Sequence, residues 1–270
     1  MTDKHLIALD LDGTLLKDDK TISLRTKIAL QKARELGHIV AISTGRPYRA
    51  SSLYYHELQL DTPIVNFNGA YVHHPLDASW GQYHTPLHVS TSKEIIEACS
   101  QFGIKNMYAE VGDDVYANFK DEGLNHIFQL GSPKIYTGDL LHMLNDHPTC
   151  LLIDAEESKV ENIRQHLTNA HAEIIDHRRW ASPWHIIEIV KSGMNKAIGL
   201  QKLTEYYGIP KANVIAFGDE DNDLEMIDFA GRGIAMGNAI DRLKTIANDV
   251  TLTNEEDGIA IYLESLLNLK

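Results

Sequence analysis

The stretch Leu9-Asp10-Leu11-Asp12-Gly13-Thr14-Leu15 decides how the rest of the chain is read. It closes a short apolar run, Leu6-Ile7-Ala8-Leu9, of the kind required by a strand buried on both faces. Two aspartates two positions apart follow, and then a glycine. In a parallel sheet, ligands gather beyond the carboxyl ends of the strands, so carboxylates there stand where chemistry is done. The two-residue repeat of a strand would set Asp10 and Asp12 on one side. Gly13 frees the backbone to turn, so the two carboxylates can take different roles. One is placed to attack and the other to donate a proton. The same residues also suit a plain turn after a strand, and the surrounding chain has to decide between the two readings.

Outward from this stretch, strands and helices alternate. Ser23 caps a helix over 24–36, and Gly37 ends it. A second apolar run spans 38–43, and Pro47 suits the first turn of another helix. Residues 63–67 read as a third strand, closed by the tight-turn pair Asn68-Gly69. This order implies right-handed crossovers and a parallel sheet. The pattern resumes late in the chain with a helix over 195–207, a strand over 214–217, a helix over 224–229, a strand over 233–236 and a helix over 258–267. Between the two blocks the rhythm changes. A helix is expected over 92–102, a strand pair over 107–111 and 115–119 around Gly112-Asp113, a strand over 149–154, a helix over 156–168 and a strand over 172–176. The segment from Trp184 to Val190 alternates too weakly to orient. The whole middle block reads as an α+β domain inserted into the first.

Three further segments carry chemistry-bearing residues. Ile42-Ser43-Thr44-Gly45-Arg46-Pro47 ends an apolar run and opens a helix. A hydroxyl, free backbone N–H groups and a helix N-terminus together make a phosphate cradle. Gly218-Asp219-Glu220-Asp221-Asn222-Asp223 follows another apolar run and crowds four acids into five positions. Two carboxylates about 4 Å apart repel by about 4 kcal/mol at an effective dielectric of ~20. If Asp219 converges on Asp10 and Asp12, a cation is needed, and a donor set of oxygens alone points to magnesium. Lys196 stands at a helix start, where the dipole disfavours an ammonium, so it points to a fixed anion nearby.

An aspartate pair, then Thr44, then Lys196, then Gly218-Asp219, all but the lysine at expected strand ends, resembles the haloacid dehalogenase-like phosphohydrolases. The resemblance covers nearly the whole chain. Thr44-Gly45-Arg46-Pro47, Asn68-Gly69-Ala70, Gly218 to Asp223, Met236-Gly237-Asn238-Ala239 and Asp257-Gly258 are similar to the Cof-type, subclass IIB sugar-phosphate phosphatases. The resemblance implies an α/β fold, with a doubly wound parallel-sheet core over 1–83 and 190–270. It also implies an inserted cap of the C2B type over 84–189. By the same resemblance Asp10 is the nucleophile and forms an aspartyl phosphate. Asp12 protonates the leaving oxygen and then activates water. Mg²⁺ is held by Asp10, the backbone carbonyl of Asp12, and Asp219. Leu11, Thr44, Gly45, Lys196 and Asn222 bind the transferring phosphoryl group, Asp223 supports the site from behind, and Arg46 and Asn68 face the substrate. The implied substrate is a small phosphorylated metabolite, most simply a sugar phosphate, with nucleotides or phosphorylated cofactors as alternatives. Two rival readings share part of this pattern. A phosphomutase shares the core, whereas receiver-type signalling domains lack the second aspartate and the insert.

Composition agrees with such a reading. The chain has 270 residues, 43% of them hydrophobic and 23% charged, long enough to bury a core without disulfides. Lys and Arg number 25 against 38 Asp and Glu, a formal net charge of −13, which speaks against nucleic acid as partner. Cys99 and Cys150 form no metal or redox motif and are expected to be core thiols. No leader and no apolar stretch of ~20 residues is visible, so a cytoplasmic protein with no membrane partner is expected, a monomer or weak homodimer. None of the fourteen histidines shows zinc spacing; His73, His74, His84 and His88 are expected at the surface or hinges. Trp80, Trp180 and Trp184 are read as packing residues. Tyr54, Tyr55 and His56 are read as helix-surface or cap-facing residues.

Overall fold

The computed structural model describes residues 4–120, 130–179 and 185–269. Trp180 and Trp184 lie outside the described residues. The chain divides into two compact units. One comprises residues 1–46, 51–83 and 195–270, the other residues 47–50 and 84–194.

In the first unit, β1 (Leu6–Leu9) is fully buried and lies beside β2 (Ile39–Ile42) in parallel register, Leu6 opposite Ile39 and Leu9 opposite Ile42. The next strand, β3 (Ile64–Asn66), differs from expectation. It meets the parallel sheet through one bridge, Ser43 to Val65, and otherwise pairs antiparallel with β4 (Tyr71–His73), followed by β5 (Gln82–His84). The reason lies in the turn: Phe67, Asn68 and Gly69 all have positive φ, which folds the chain straight back on itself.

The second unit holds a six-stranded sheet. Its strands are β6 (Asn106–Val111), β7 (Asp114–Ala117), β8 (Ile135–Thr137), β9 (Cys150–Asp154), β10 (Ile175–Arg179) and β11 (Ile186–Lys191). Their order is β10-β11-β9-β6-β7-β8. Pairing is antiparallel except between β7 and β8. Alternation places Met107, Ala109, Leu151, Ile153, Ile187 and Ile189 on one face. There they share a core with Ile95, Ile96 and Cys99 of the helix Val89–Ser100 and with Val160, Ile163 and Leu167 of the helix Glu157–His171. That second helix runs on through His171, so the expected strand over 172–176 begins only at Ile175. Cys99 and Cys150 are buried free thiols. Burial pushes Cys99 up to about 12 and, with the carboxylates of Glu110 and Glu188, raises Cys150 as well.

The chain re-enters the first sheet as β12 (Val214–Gly218), β13 (Arg232–Ala235) and β14 (Asp249–Val250). The sheet order is β14-β13-β12-β1-β2, every pair parallel. From β1 the chain moves to one neighbour first and to the other much later, so the order of strands reverses at β1. Such a reversal opens a crevice beyond the carboxyl ends of β1 and its neighbours. The helix Leu24–Glu35 starts where Ser23 Oγ accepts from the Thr26 N–H, and it buries Thr26, Ala29, Leu30 and Ala33 at three- and four-residue spacing. It packs on the last helix, Gly258–Leu267. The helix Lys196–Tyr207 is capped by Asn195, ends on left-handed Gly208 and buries Lys196, Gly199, Leu200, Leu203 and Thr204. Among the described residues no helix is long and apolar enough to cross a membrane.

Candidate active site

Residues from the ends of β1, β2 and β12, together with the start of the helix Lys196–Tyr207, form the candidate site. Gly13 sets the geometry of the β1 end. Its φ is +75°, a value L side chains adopt only at a cost, and a Cβ there would sit 2.1 Å from Asp219 Oδ2. After it the chain doubles back. Leu16 N donates to Leu11 O (2.8 Å), and Leu15 N donates to Asp10 O (3.2 Å). This turn sends the two neighbouring aspartates into different surroundings.

Asp10 enters a buried nest. Lys196 Nζ donates to Asp10 Oδ1 and to Asp223 Oδ1, both at 2.6 Å, and the lysine side chain is 0% exposed. Burial alone would discharge such a lysine, but the charges of Asp10 and Asp223 outweigh it and raise its pKa. Asp223 uses its other oxygen, Oδ2, to accept from the backbone N–H groups of Asp219 (3.0 Å) and Glu220 (3.2 Å). It therefore fixes the β12 end and Lys196 together. Thr14 Oγ1 donates to Asp219 Oδ1 (2.8 Å).

Asp10, Asp219 and Asp223 each offer an oxygen within 4.8 Å of the others. Burial, opposed by Lys196, lifts Asp10 to about 7. Burial and the neighbouring charges of Asp10 and Asp223 lift Asp219 to about 9. Three buried carboxylates facing one ammonium lack positive charge, and the donors are oxygens alone. That set fits a hard divalent cation. The Asp223 carboxylate joins Asp10 and Asp219 in this cluster, and the Asp12 side chain points elsewhere, which bears on its carboxylate and not on the backbone carbonyl expected to bind metal.

Asp12 lies in a half-exposed nest of opposite balance. Arg46 grips both of its oxygens, Nε to Oδ2 and Nη2 to Oδ1, each at 2.6 Å. Lys20 Nζ donates to Oδ1 at 2.8 Å. Burial would raise this carboxylate, but the bonds and charges of Arg46 and Lys20 hold it down at about 2. Arg46 in turn lies 5.5 Å from the ring centre of Tyr54. Arg46, expected to face substrate, is here the partner of Asp12. Tyr54 and Tyr55, expected at the helix surface or facing the cap, are buried; Tyr55 Oη donates to Thr62 O (2.8 Å).

A third group gathers around the β2 end. Thr44 is buried; its N–H donates to Val65 O (2.9 Å), and its Oγ1 accepts from Arg46 N (3.1 Å). The hydroxyl hydrogen remains available to an anion. Asn222 Nδ2 donates to Asn68 Oδ1 (3.0 Å), and the Asn68 amide packs on Gly45, where a Cβ would stand 3.2 Å from it. Asn68 itself is buried with φ +51°. Leu11 is buried, and its carbonyl accepts from the Thr14 and Leu16 N–H groups.

Sequence reasoning did not find Thr14, Lys20 or Tyr54, nor a role for Asn238, whose Nδ2 donates to Gly13 O (2.8 Å). Asn238 sits in the motif Met236-Gly237-Asn238-Ala239, which was visible without its meaning. Lys20 shows no signal in sequence beyond its place in the turn after Asp12.

Comparison with known proteins places the chain in a family. A family model described as haloacid dehalogenase-like hydrolase matches residues 7–263. The chain is 56% identical over 268 residues to the 5-amino-6-(5-phospho-D-ribitylamino)uracil phosphatase YitU of Bacillus subtilis, covering 99% of each chain. It is 31% identical to the pyridoxal phosphate phosphatase YbhA of Escherichia coli, covering 97% of this chain and 98% of that one. Among solved structures, a haloacid dehalogenase-like hydrolase from Bacteroides thetaiotaomicron superposes with a TM-score of 0.84 at 29% identity, covering 98% of this chain and 100% of the other.

Proposed function

We propose, for a chain that belongs to the haloacid dehalogenase-like hydrolases and is a phosphoric monoester hydrolase, that a Mg²⁺-dependent reaction passes through an aspartyl phosphate on Asp10. The observation that carries this reading is the buried Lys196 shared by Asp10 and Asp223, beside Asp219. A carboxylate attacks an anionic phosphomonoester only where nearby cations cancel the repulsion. Lys196 supplies one such charge. Asp10, Asp219 and the Asp12 backbone carbonyl are the groups assigned to hold the metal, with Asp223 bracing them. Bound there, Mg²⁺ would neutralise charge on the transferring oxygens.

With Oδ1 of Asp10 tied to Lys196, Oδ2 forms the bond to phosphorus while the bond from phosphorus to the leaving oxygen breaks. The Thr44 hydroxyl, the Leu11 and Gly45 backbone N–H groups and Asn222 bind the phosphoryl oxygens. Asp12, once free of Arg46 and protonated from solvent, gives that proton to the leaving oxygen. Water then attacks phosphorus, its proton passes to Asp12, and the bond from phosphorus to Asp10 breaks. Both steps require one oxygen of Asp12 to come free of Arg46. Residues 84–189 are assigned as the cap that selects the leaving group.

Similarity to the Bacillus subtilis enzyme, 56% across 99% of both chains, supports 5-amino-6-(5-phospho-D-ribitylamino)uracil as substrate. The sugar phosphates expected from sequence share with it a phosphate ester on a polyhydroxylated chain. Phosphate release from this compound, sugar phosphates, nucleotides and pyridoxal phosphate tests the assignment. The ribitylaminouracil phosphate is expected to give the highest kcat/KM. A higher value for any other class would overturn the substrate assignment, and no release from any of them would overturn the reaction.

A further inference from the structure

The turn after Asp12 is built with more constraint than a surface connection needs. Lys17 N donates to Thr21 O, and Lys20 N donates to Lys17 O, both at 2.9 Å. The turn is fastened from outside by Asn254 Nδ2 to Leu16 O (2.9 Å), and Asp18 N donates to Glu255 Oε1 (2.8 Å). Closing the turn, Lys20 has a φ of +64°, a conformation in which an L residue with a long side chain is disfavoured and glycine is at ease. The strained residue is the one whose ammonium lies 2.8 Å from Asp12 Oδ1.

Fold stability does not account for this arrangement. The two side chains are 55% and 44% exposed, and an ion pair that open to water adds little. A glycine would serve the turn without the backbone cost. The division of labour on Asp12 suggests another purpose. Arg46 spans both oxygens, whereas Lys20 touches Oδ1 alone. When Arg46 lets go, Oδ1 stays anchored and Oδ2 is left pointing in a fixed direction.

We propose that Lys20 is a positioning residue for Asp12, holding Oδ1 so that Oδ2 stays aimed at the leaving oxygen while Arg46 moves. The inference rests on the reading of Asp12 as the proton-transfer group. Its consequence is a dependence on leaving group. An alkyl phosphate needs a proton delivered as its ester bond breaks, whereas p-nitrophenolate departs without one.

The test compares kcat/KM, which reports the steps up to leaving-group departure, for ribose 5-phosphate and p-nitrophenyl phosphate. Lys20→Gly removes the ammonium and eases the turn. It is expected to lower the alkyl value by about tenfold and the aryl value by less than about threefold, with Lys20→Arg recovering most of the loss. Lys20→Asn, also tolerant of positive φ, serves if the glycine variant does not fold. An unchanged alkyl value, equal losses on both substrates, or a Lys20→Arg variant no better than Lys20→Gly would overturn the inference. Asp12→Asn separates the two layers. A selective alkyl loss in Asp12→Asn with none in Lys20→Gly refutes the role of Lys20 alone. No selective loss in Asp12→Asn refutes the acid–base reading and the inference together.

Discussion

Two nests of charge lie on either side of one turn, and they are built in opposite ways. Around Asp10, three buried carboxylates face one ammonium that is 0% exposed. Around Asp12, two cations hold one half-exposed carboxylate. The aspartates are two residues apart, yet one is lifted to about 7 and the other held at about 2. The difference teaches that position in the sequence does not set the chemistry of a carboxylate; its partners and its distance from water do. The buried nest is short of positive charge and calls for a metal. The half-exposed nest is already satisfied and must open before it can move a proton.

The comparison breaks most visibly at Lys196. Lys196→Met strands two buried carboxylates, so unfolding in urea is expected to show a loss of about 3–5 kcal/mol in the metal-free protein. The same variant should lower phosphate release by at least about 10²-fold, because a donor to the reacting groups is gone. Stability equal to the parent would mean that the nest is not held as described. Metal removal comes next. EDTA should stop phosphate release and Mg²⁺ restore it. Mg²⁺ at about 100 times its Kd should also stabilise the fold by about 2.7 kcal/mol, read as a rise in Tm that Asp219→Asn abolishes. A Tm indifferent to Mg²⁺ would remove the metal from the buried nest. The smallest structural effect is expected at Arg46. The pair is partly open to water, so Arg46→Ala should change stability by about 1 kcal/mol or less. A destabilisation as large as that of Lys196→Met would erase the contrast between the nests.

How far the sequence could be read follows the same division. Buried strands announce themselves as apolar runs, and β1, β2 and β12 lie where those runs lie. Catalytic candidates at their ends were legible because the parallel sheet gathers strand ends in one place. Asp10, Asp219, Asp223 and Lys196 are indeed brought together, although Asp10 and Lys196 are 186 positions apart. Strand β3 was harder. Its composition suited a parallel strand, but three successive positive φ values at Phe67, Asn68 and Gly69 turn it into a hairpin, and only the Asn-Gly pair hinted at this. The short β14 and the helix Asp241–Ile246 left too brief a pattern to register. Exposed partners were not legible at all. Lys20 on Asp12 is a matter of where a turn carries a flexible side chain, and one lysine among many gives no period or motif. The contact of Tyr54 with Arg46 was not legible because a tyrosine on a helix does not reveal that an arginine eight residues earlier folds back toward its ring.

The central claim is that the buried nest makes Asp10 a nucleophile. It is tested most directly by quenching turnover of a phosphorus-labelled phosphomonoester with acid and mapping the label by mass spectrometry. The account predicts a phosphoryl group on the peptide that carries Asp10, absent from Asp10→Asn. Label on any other residue, or turnover by the parent with no labelled protein at any time, would contradict it.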